Sequence, residues 1–187
     1  MALHWALDCW MALGAYWLVT WTRVKATVER EGVSEWMRHR APLAAAYVLL
    51  LDSELDRIHL SLGALPAPEW LRAMGVAITM AGLALAIGAR RTLGGNWSAT
   101  VTLKQGHTLT TNGPYRWVRN PIYTGILSMI VGTALVEGRG RGWLALMLAI
   151  AAFLVKIQQE ERFMQRQFPQ DFPAYRRRTA ALVPLLY

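Results

Sequence analysis

Gly106-His107-Thr108-Leu109-Thr110-Thr111-Asn112-Gly113-Pro114-Tyr115-Arg116-Trp117-Val118-Arg119-Asn120-Pro121-Ile122-Tyr123-Thr124-Gly125 is a polar, basic, proline-pinned stretch set between two strongly apolar blocks. Pro114 after Gly113 favours a turn. Pro121 disfavours helical backbone at Asn120, so the apolar run that follows is expected to start as a helix with proline in its first turn. Tyr115, Arg119, Asn120 and Tyr123 are thereby held at a helix entrance. The N–H groups exposed there, the helix dipole and the Arg119 guanidinium suit an anion such as a carboxylate, while the tyrosines offer flat faces and hydroxyls to a ring or ribose. A second reading stays open on composition: an interfacial loop whose tyrosines and arginines anchor a membrane helix.

Outward from that stretch the chain is unlike a soluble domain. Its 187 residues are 54% hydrophobic and include nine tryptophans, which makes a membrane protein of one domain the first expectation. The formal charge of +8 is spread between apolar blocks rather than gathered on one face, and no nucleic-acid motif is present, so nucleic acid is set aside. The single cysteine, Cys9, leaves no internal disulfide, and His4, His39, His59 and His107 lack zinc-ligand spacing.

A helix needs about 20 apolar residues to cross the hydrocarbon core, and four of five apolar blocks approach or meet that length. The first, Leu3 to Thr22, has no basic leader before it and reads as a retained span. A basic connection, Arg23 to Arg40, precedes the second, which opens at Ala41-Pro42, is wholly apolar to Leu51, and then takes up Asp52, Asp56 and His59 along one helical face. Those three are candidates either for function or for a span leaving the bilayer. After Pro66 and Pro68 the third block runs from Trp70 to Ala89, with Gly75, Gly82 and Gly88 permitting close helix packing. The fourth, Ile122 to Val136, is the shortest, and a glycine-rich turn joins it to the fifth, Trp143 to Ile157, whose helix continues into Glu160-Glu161. This hairpin brings Lys156 and Glu160 near the start of the fourth block.

Lysine and arginine number 5 in residues 23–40, 2 in 52–72, 5 in 90–119, 2 in 139–141 and 6 in 156–178. The alternation implies five spans, an outer amino terminus and a cytoplasmic carboxyl terminus, as in a bacterial inner membrane. Residues 1–89 then form three spans and residues 90–187 a second half, both within a single membrane domain. The expected class is all-α, a five-helix bundle with a cytoplasmic pocket.

His107-Thr108-Leu109, Gly113-Pro114-Tyr115, Arg119 to Gly125, Glu160-Glu161, Phe168 to Tyr175 and Leu182-Val183-Pro184 resemble the isoprenylcysteine carboxyl methyltransferase family, integral-membrane enzymes related to phospholipid methyltransferases. The resemblance covers the last half of the chain. It implies S-adenosylmethionine as methyl donor, with S-adenosylhomocysteine as product, held by His107, Thr108, Leu109, Thr110, Tyr115, Asn120, Pro121, Ile122, Tyr123 and Glu160, with Thr102 as an upstream contributor. It also implies that Lys156 meets the acceptor. Arg119, from the charge of the opening stretch, is the second catalytic candidate, with an interface anchor as its alternative. Eukaryotic members usually carry histidine where Asn120 stands and arginine where Lys156 stands. A carboxylate suits the positive groups of a sulfonium cofactor, and tyrosines suit its sulfonium or adenine. An amine or thiol acceptor would need a proton removed, a task for His107 or Glu161. The expected substrate is a lipophilic small molecule entering from the bilayer, with a carboxylate such as that of an isoprenylcysteine as the example the resemblance supplies. Open alternatives are a phospholipid or other amine N-methyltransferase, an NADPH-dependent enzyme like the sterol reductases, and a non-catalytic scaffold.

Overall fold

The computed structural model describes residues 1–21, 27–51, 62–65, 67–97, 102–104 and 108–184, the side chains of residues 27–30 and 102–104 excepted. Asp52, Asp56, His59, His107 and the Thr102 side chain therefore lie outside the described residues. The chain is helical, as its apolar blocks require: α1 (Ala2–Thr20), α2 (Val33–Leu51), α3 (Glu69–Leu93), α4 (Pro121–Glu137), α5 (Gly140–Gln167) and α6 (Asp171–Arg178). One addition was not anticipated. Strands β1 (Thr27–Arg30) and β2 (Thr102–Lys104) pair antiparallel, with Thr27 opposite Lys104 and Arg30 opposite Thr102.

Local rules place several boundaries where the sequence predicts them. Gly113–Arg116 is a short 3-10 turn with Pro114 in its first positions, and α4 begins on Pro121 with Asn120 in a non-helical conformation. Gly138 closes α4 with φ of 65°, a left-handed cap in which a side chain would also meet the Leu65 carbonyl at 2.8 Å. One boundary differs: α2 starts at Val33, so half of the expected basic connection is already helix and Pro42 sits inside it. Glu35 in the first turn complements the helix dipole, and the Glu35 carbonyl accepts a bond from Gln159 Nε2 of α5 at 3.3 Å. Packing against α5 thus outweighs the peptide hydrogen bond that Pro42 removes.

The pattern of glycines fixes the central contact. A methyl group on Gly75 would lie 2.6 Å from the Gly132 carbonyl, and one on Gly82 would lie 2.5 Å from the Gly125 carbonyl. The seven-residue steps run oppositely, so α3 and α4 are antiparallel and touch backbone to backbone. Such contacts are typical of helices that associate by close packing rather than by hiding apolar surface from water. Gly88 meets nothing within 4 Å and is not part of this seam. Across it, α1 is tied to α4 by the bond from Trp10 Nε1 to Thr133 Oγ1 at 3.0 Å.

Large apolar side chains face outward on several helices: Trp5, Met11 and Leu18 on α1, Met80 on α3, Met147 and Leu154 on α5. Among the described residues, two helical stretches, Glu69–Asn96 and Gly140–Gln167, are long and apolar enough to cross a membrane, and α4 is a shorter apolar helix. The connections gather at the two ends of the bundle. The two basic-poor connections meet, Leu65 N–H donating to the Gly138 carbonyl and Gly140 N–H to that of Gly63. At the other end Arg90 of α3 reaches the Thr20 carbonyl at the end of α1.

Candidate functional site

At that basic end a cavity of about 420 Å³ opens between the helices. The loop before α4 supplies Thr108, Leu109, Thr110, Tyr115, Arg119 and Asn120; α4 supplies Ile122 and Tyr123; α5 supplies Phe153, Lys156, Glu160 and Glu161. Residues that the sequence singled out from two distant segments therefore share one wall. Pro121 is buried beneath them and serves as the start of α4 rather than as a lining residue.

The two segments are joined directly. Tyr123 Oη donates to Glu160 Oε1 at 2.7 Å, and Lys156 Nζ stands 3.9 Å from the same oxygen. Lys156 also lies 5.3 Å from the centre of the Tyr123 ring, which stacks on Phe153 at 4.6 Å. Lys156 and Glu160 meet because i and i+4 share a helix face, whereas Glu161, one residue on, is turned by about 100°. It serves a different purpose. Arg119 Nε donates to Glu161 Oε1 at 2.8 Å, and Arg176 Nε approaches Glu161 Oε2 at 3.2 Å.

The same guanidinium of Arg119 donates to the carbonyls of Arg176 and Thr179. Arg119 N–H and Asn120 N–H bond the Ala180 and Ala181 carbonyls, Asn120 Nδ2 bonds Ala181 again at 3.0 Å, and Thr124 Oγ1 bonds Leu182 at 2.6 Å. The carboxyl-terminal segment is strapped across the helix entrance, so the polar groups that would suit an external anion are largely satisfied by the chain itself. Arg119 is a fastener. Tyr175 Oη donates to the Tyr115 carbonyl at 2.8 Å and completes the strap. Burial pushes the Tyr175 hydroxyl up to about 12, against the opposing pull of Arg119. Burial and then the Glu160 charge push the Tyr115 hydroxyl well above the ordinary tyrosine range, so both rings stay neutral donors.

Several lining residues escaped the sequence reading. Trp17 and Trp21 at the end of α1, with Leu43 and Tyr47 of α2, form an apolar flank, and His39 and Arg40 stand beside them. Trp97 lies under Arg90, whose guanidinium carbon is 4.4 Å from its ring centre, and Asn96 Nδ2 holds Thr108 Oγ1 at 2.9 Å. The available signal was the tryptophan cluster of the first block, which suited bilayer anchors equally well. The cavity thus has a polar end around Glu160 and Asn120 and an apolar end toward α1 and α2. Its size falls within the ~300–1,000 Å³ of ordinary small-molecule sites.

Comparison with known proteins gives this geometry a context. The phospholipid methyltransferase family model matches residues 70–171, from the start of α3 to the start of α6. The cobalt-zinc-cadmium resistance protein CzcN of Cupriavidus metallidurans is 33% identical over 119 residues, 63% of this chain and 52% of that protein. The protein-S-isoprenylcysteine O-methyltransferase of Mus musculus is 27% identical over 120 residues, 63% of this chain and 42% of that protein. The chain spans about half the length of the curated relatives it matches. The solved eukaryotic intramembrane Ras methyltransferase ICMT has a TM-score of 0.58 at 20% identity, over 83% of this chain and 54% of that one. At that identity the likeness is one of fold.

Proposed function

This chain belongs to the phospholipid methyltransferase family, and from that premise we propose that it is a five-span membrane methyltransferase that uses S-adenosylmethionine to methylate a lipophilic small molecule. The observation that carries the reading is the bond from Tyr123 to Glu160, which closes the loop before α4 onto the overhanging end of α5 around a cavity. Both residues fall within the matched stretch. When bound, the cofactor supplies an electrophilic methyl group on a sulfonium.

The residues present suit that cofactor. Glu160 offers a carboxylate to a cationic group, Tyr115 and Tyr123 offer aromatic rings, and Asn120 with Thr108 and Thr110 offers hydrogen bonds to the polar tail and ribose. Phe153 and Ile126 form an apolar floor that excludes water. Methyl transfer is an in-line displacement, for which the chain's main contribution is alignment of the acceptor in a dry site. Trp17, Leu43 and Tyr47 make the flank toward α1 and α2 a natural seat for an acceptor's apolar tail, which would enter from the bilayer. The basic end of the bundle faces the cytoplasm under the positive-inside rule, which places the cofactor's entrance on the side where it is made.

Two acceptor classes accord with the relatives. The mouse protein is named for an isoprenylcysteine, whose carboxylate would approach Lys156. The family is named for phospholipids, some of which carry an amine. Lys156 is already shared between Glu160 and the Tyr123 ring, and Arg119 is held by Glu161, so these two cations at the polar end of the cavity are largely spent. That favours an acceptor other than a carboxylate.

Equilibrium binding of S-adenosylmethionine and of NADPH to the purified chain tests the reading. The expected result is binding of the first alone, lost in Glu160→Ala. Binding of NADPH instead, or unchanged binding of S-adenosylmethionine in Glu160→Ala and Tyr123→Ala, would overturn it.

A further inference from the structure

Two hollows lie side by side at the basic end and share Glu161, Phe163 and Phe172 in their walls; a bonded pair of side chains also links them. His39 is 1% exposed and forms part of the wall of the 420 Å³ cavity. Its Nε2 lies 2.8 Å from Glu31 Oε2, and the Glu31 side chain is equally buried. Glu31 in turn lines a second hollow of about 780 Å³, whose walls carry Glu35, Gln159, Arg162 and Arg166 together with Phe163 and Phe172. Neither residue falls within the stretch matched by the family model, which begins at residue 70.

From this we propose that His39 is the base that takes the proton of the methyl acceptor, and that Glu31 orients its ring and leads that proton to the second hollow. The proposal rests on the methyltransferase reading and adds to it the chemistry of the acceptor: a lipophilic molecule whose methylated atom bears a proton, as in an amine or thiol. Among the described residues, the two carboxylates of the cavity are committed elsewhere. Glu160 is bound to Tyr123 and Lys156, and Glu161 to Arg119 and Arg176. A carboxylate hydrogen-bonded to one imidazole nitrogen fixes the tautomer and leaves the other nitrogen to accept, the arrangement by which histidine bases are generally positioned.

The step balances within the cavity. The acceptor's lone pair forms the new bond to the methyl carbon, and the carbon–sulfur bond breaks with its electron pair staying on sulfur. The acceptor's proton passes to Nδ1 of His39, while the Nε2 proton is shared with Glu31. Charged groups acting on the ring are Glu31 from the segment before α2, Arg40 on α2 and Lys156 on α5, while Glu160 of α5 and Tyr123 of α4 line the same cavity. Only neutral imidazole can act as base, and burial, opposed by the bond to Glu31, lowers the His39 titration below the ordinary histidine range, so the rate should fall only on the acid side of that range.

Full-length protein in detergent micelles, supplied with methyl-labelled S-adenosylmethionine, would be offered dodecylamine, dodecanethiol and dodecanoate as acceptors with a common tail. Turnover of the amine or thiol is expected. His39→Ala should lower kcat for that probe by about 100-fold or more with KM and cofactor affinity little changed, and added imidazole should restore part of it. His39→Gln, which can keep a hydrogen bond to Glu31, should be as impaired and guards against a folding artefact. Glu31→Gln should move the acid limb of the pH profile. Turnover confined to dodecanoate, no turnover of either proton-bearing probe, or undiminished kcat in both His39 variants would overturn the proposal. Failure of the wild-type chain to bind the cofactor at all would instead sink the methyltransferase reading beneath it.

Discussion

Replacing Gly125 with alanine tests the contact on which the site is built. The added methyl carbon would stand 2.6 Å from the Gly82 carbonyl oxygen and 2.8 Å from the Ala86 nitrogen. Both are backbone atoms of α3, so no rotamer change relieves the clash. Restoring ordinary contact near 3.4 Å requires α3 and α4 to part by about 0.8 Å, enough to forfeit about a quarter to a half of the dispersion energy along the seam. Overpacking of this kind costs about 1–3 kcal/mol, against which alanine regains up to about 1 kcal/mol of helix propensity. Gly88→Ala supplies the control on the same helix pair, since a methyl group there meets nothing within 4 Å and only the propensity gain remains. Because the propensity gain is common to both, the two variants should differ in stability by the overpacking cost of about 1–3 kcal/mol, with Gly125→Ala the less stable and Gly88→Ala at or above the wild type. Unfolding in mixed detergent micelles followed by tryptophan fluorescence would measure the difference. Because Tyr123 precedes Gly125 by two residues, Gly125→Ala should also weaken cofactor binding. Equal stabilities for the two variants would refute the packing argument, whatever happened to activity.

Tyr123→Phe removes the donor to Glu160 and should weaken S-adenosylmethionine binding by about 10- to 100-fold, the worth of one charge-assisted hydrogen bond; calorimetric affinities unchanged within error would count against it. Arg119→Ala should release the carboxyl-terminal strap, and hydrogen exchange at the Arg119-neighbouring amide of Asn120, which bonds the Ala181 carbonyl, should accelerate by about 30-fold for a loss on the order of 2 kcal/mol. Tyr175 has its hydroxyl raised in the folded state, so the stability it contributes is complete below the unfolded value of about 10 and is lost as pH climbs through about 12. Tyr175→Phe should accordingly flatten the alkaline limb of a stability profile measured from about pH 9 upward, and an unaltered limb would show that the hydroxyl does not titrate with unfolding.

Much of the site was legible because short-range rules carried it. Proline at residue 121 can begin a helix but not continue one, so α4 starts where the sequence predicts, and Lys156 with Glu160 shares a helix face at any packing. The proximity of Glu160 to Tyr123 followed from a hairpin of known arm lengths. His107 and Thr102, expected to help hold the cofactor, lie in stretches whose side chains the structure does not describe. The expected anion site at the start of α4 took another form, since its donors face the carbonyls of Arg176 and Thr179 to Leu182.

By itself the sequence determined the helical blocks, their breaks, the sorting of basic connections to one end and the pair of segments that meet there, since each follows from steric limits or hydropathy over neighbouring residues. Only the tertiary structure decided that Glu160 takes Tyr123 and Lys156 while Glu161 takes Arg119 and Arg176, which glycines are seams and which are bare, and that His39, in what read as a basic connection, looks into the site. Those outcomes depend on the rotational phase of one helix against another, a quantity fixed by contacts between residues far apart in the chain and therefore invisible to any local pattern.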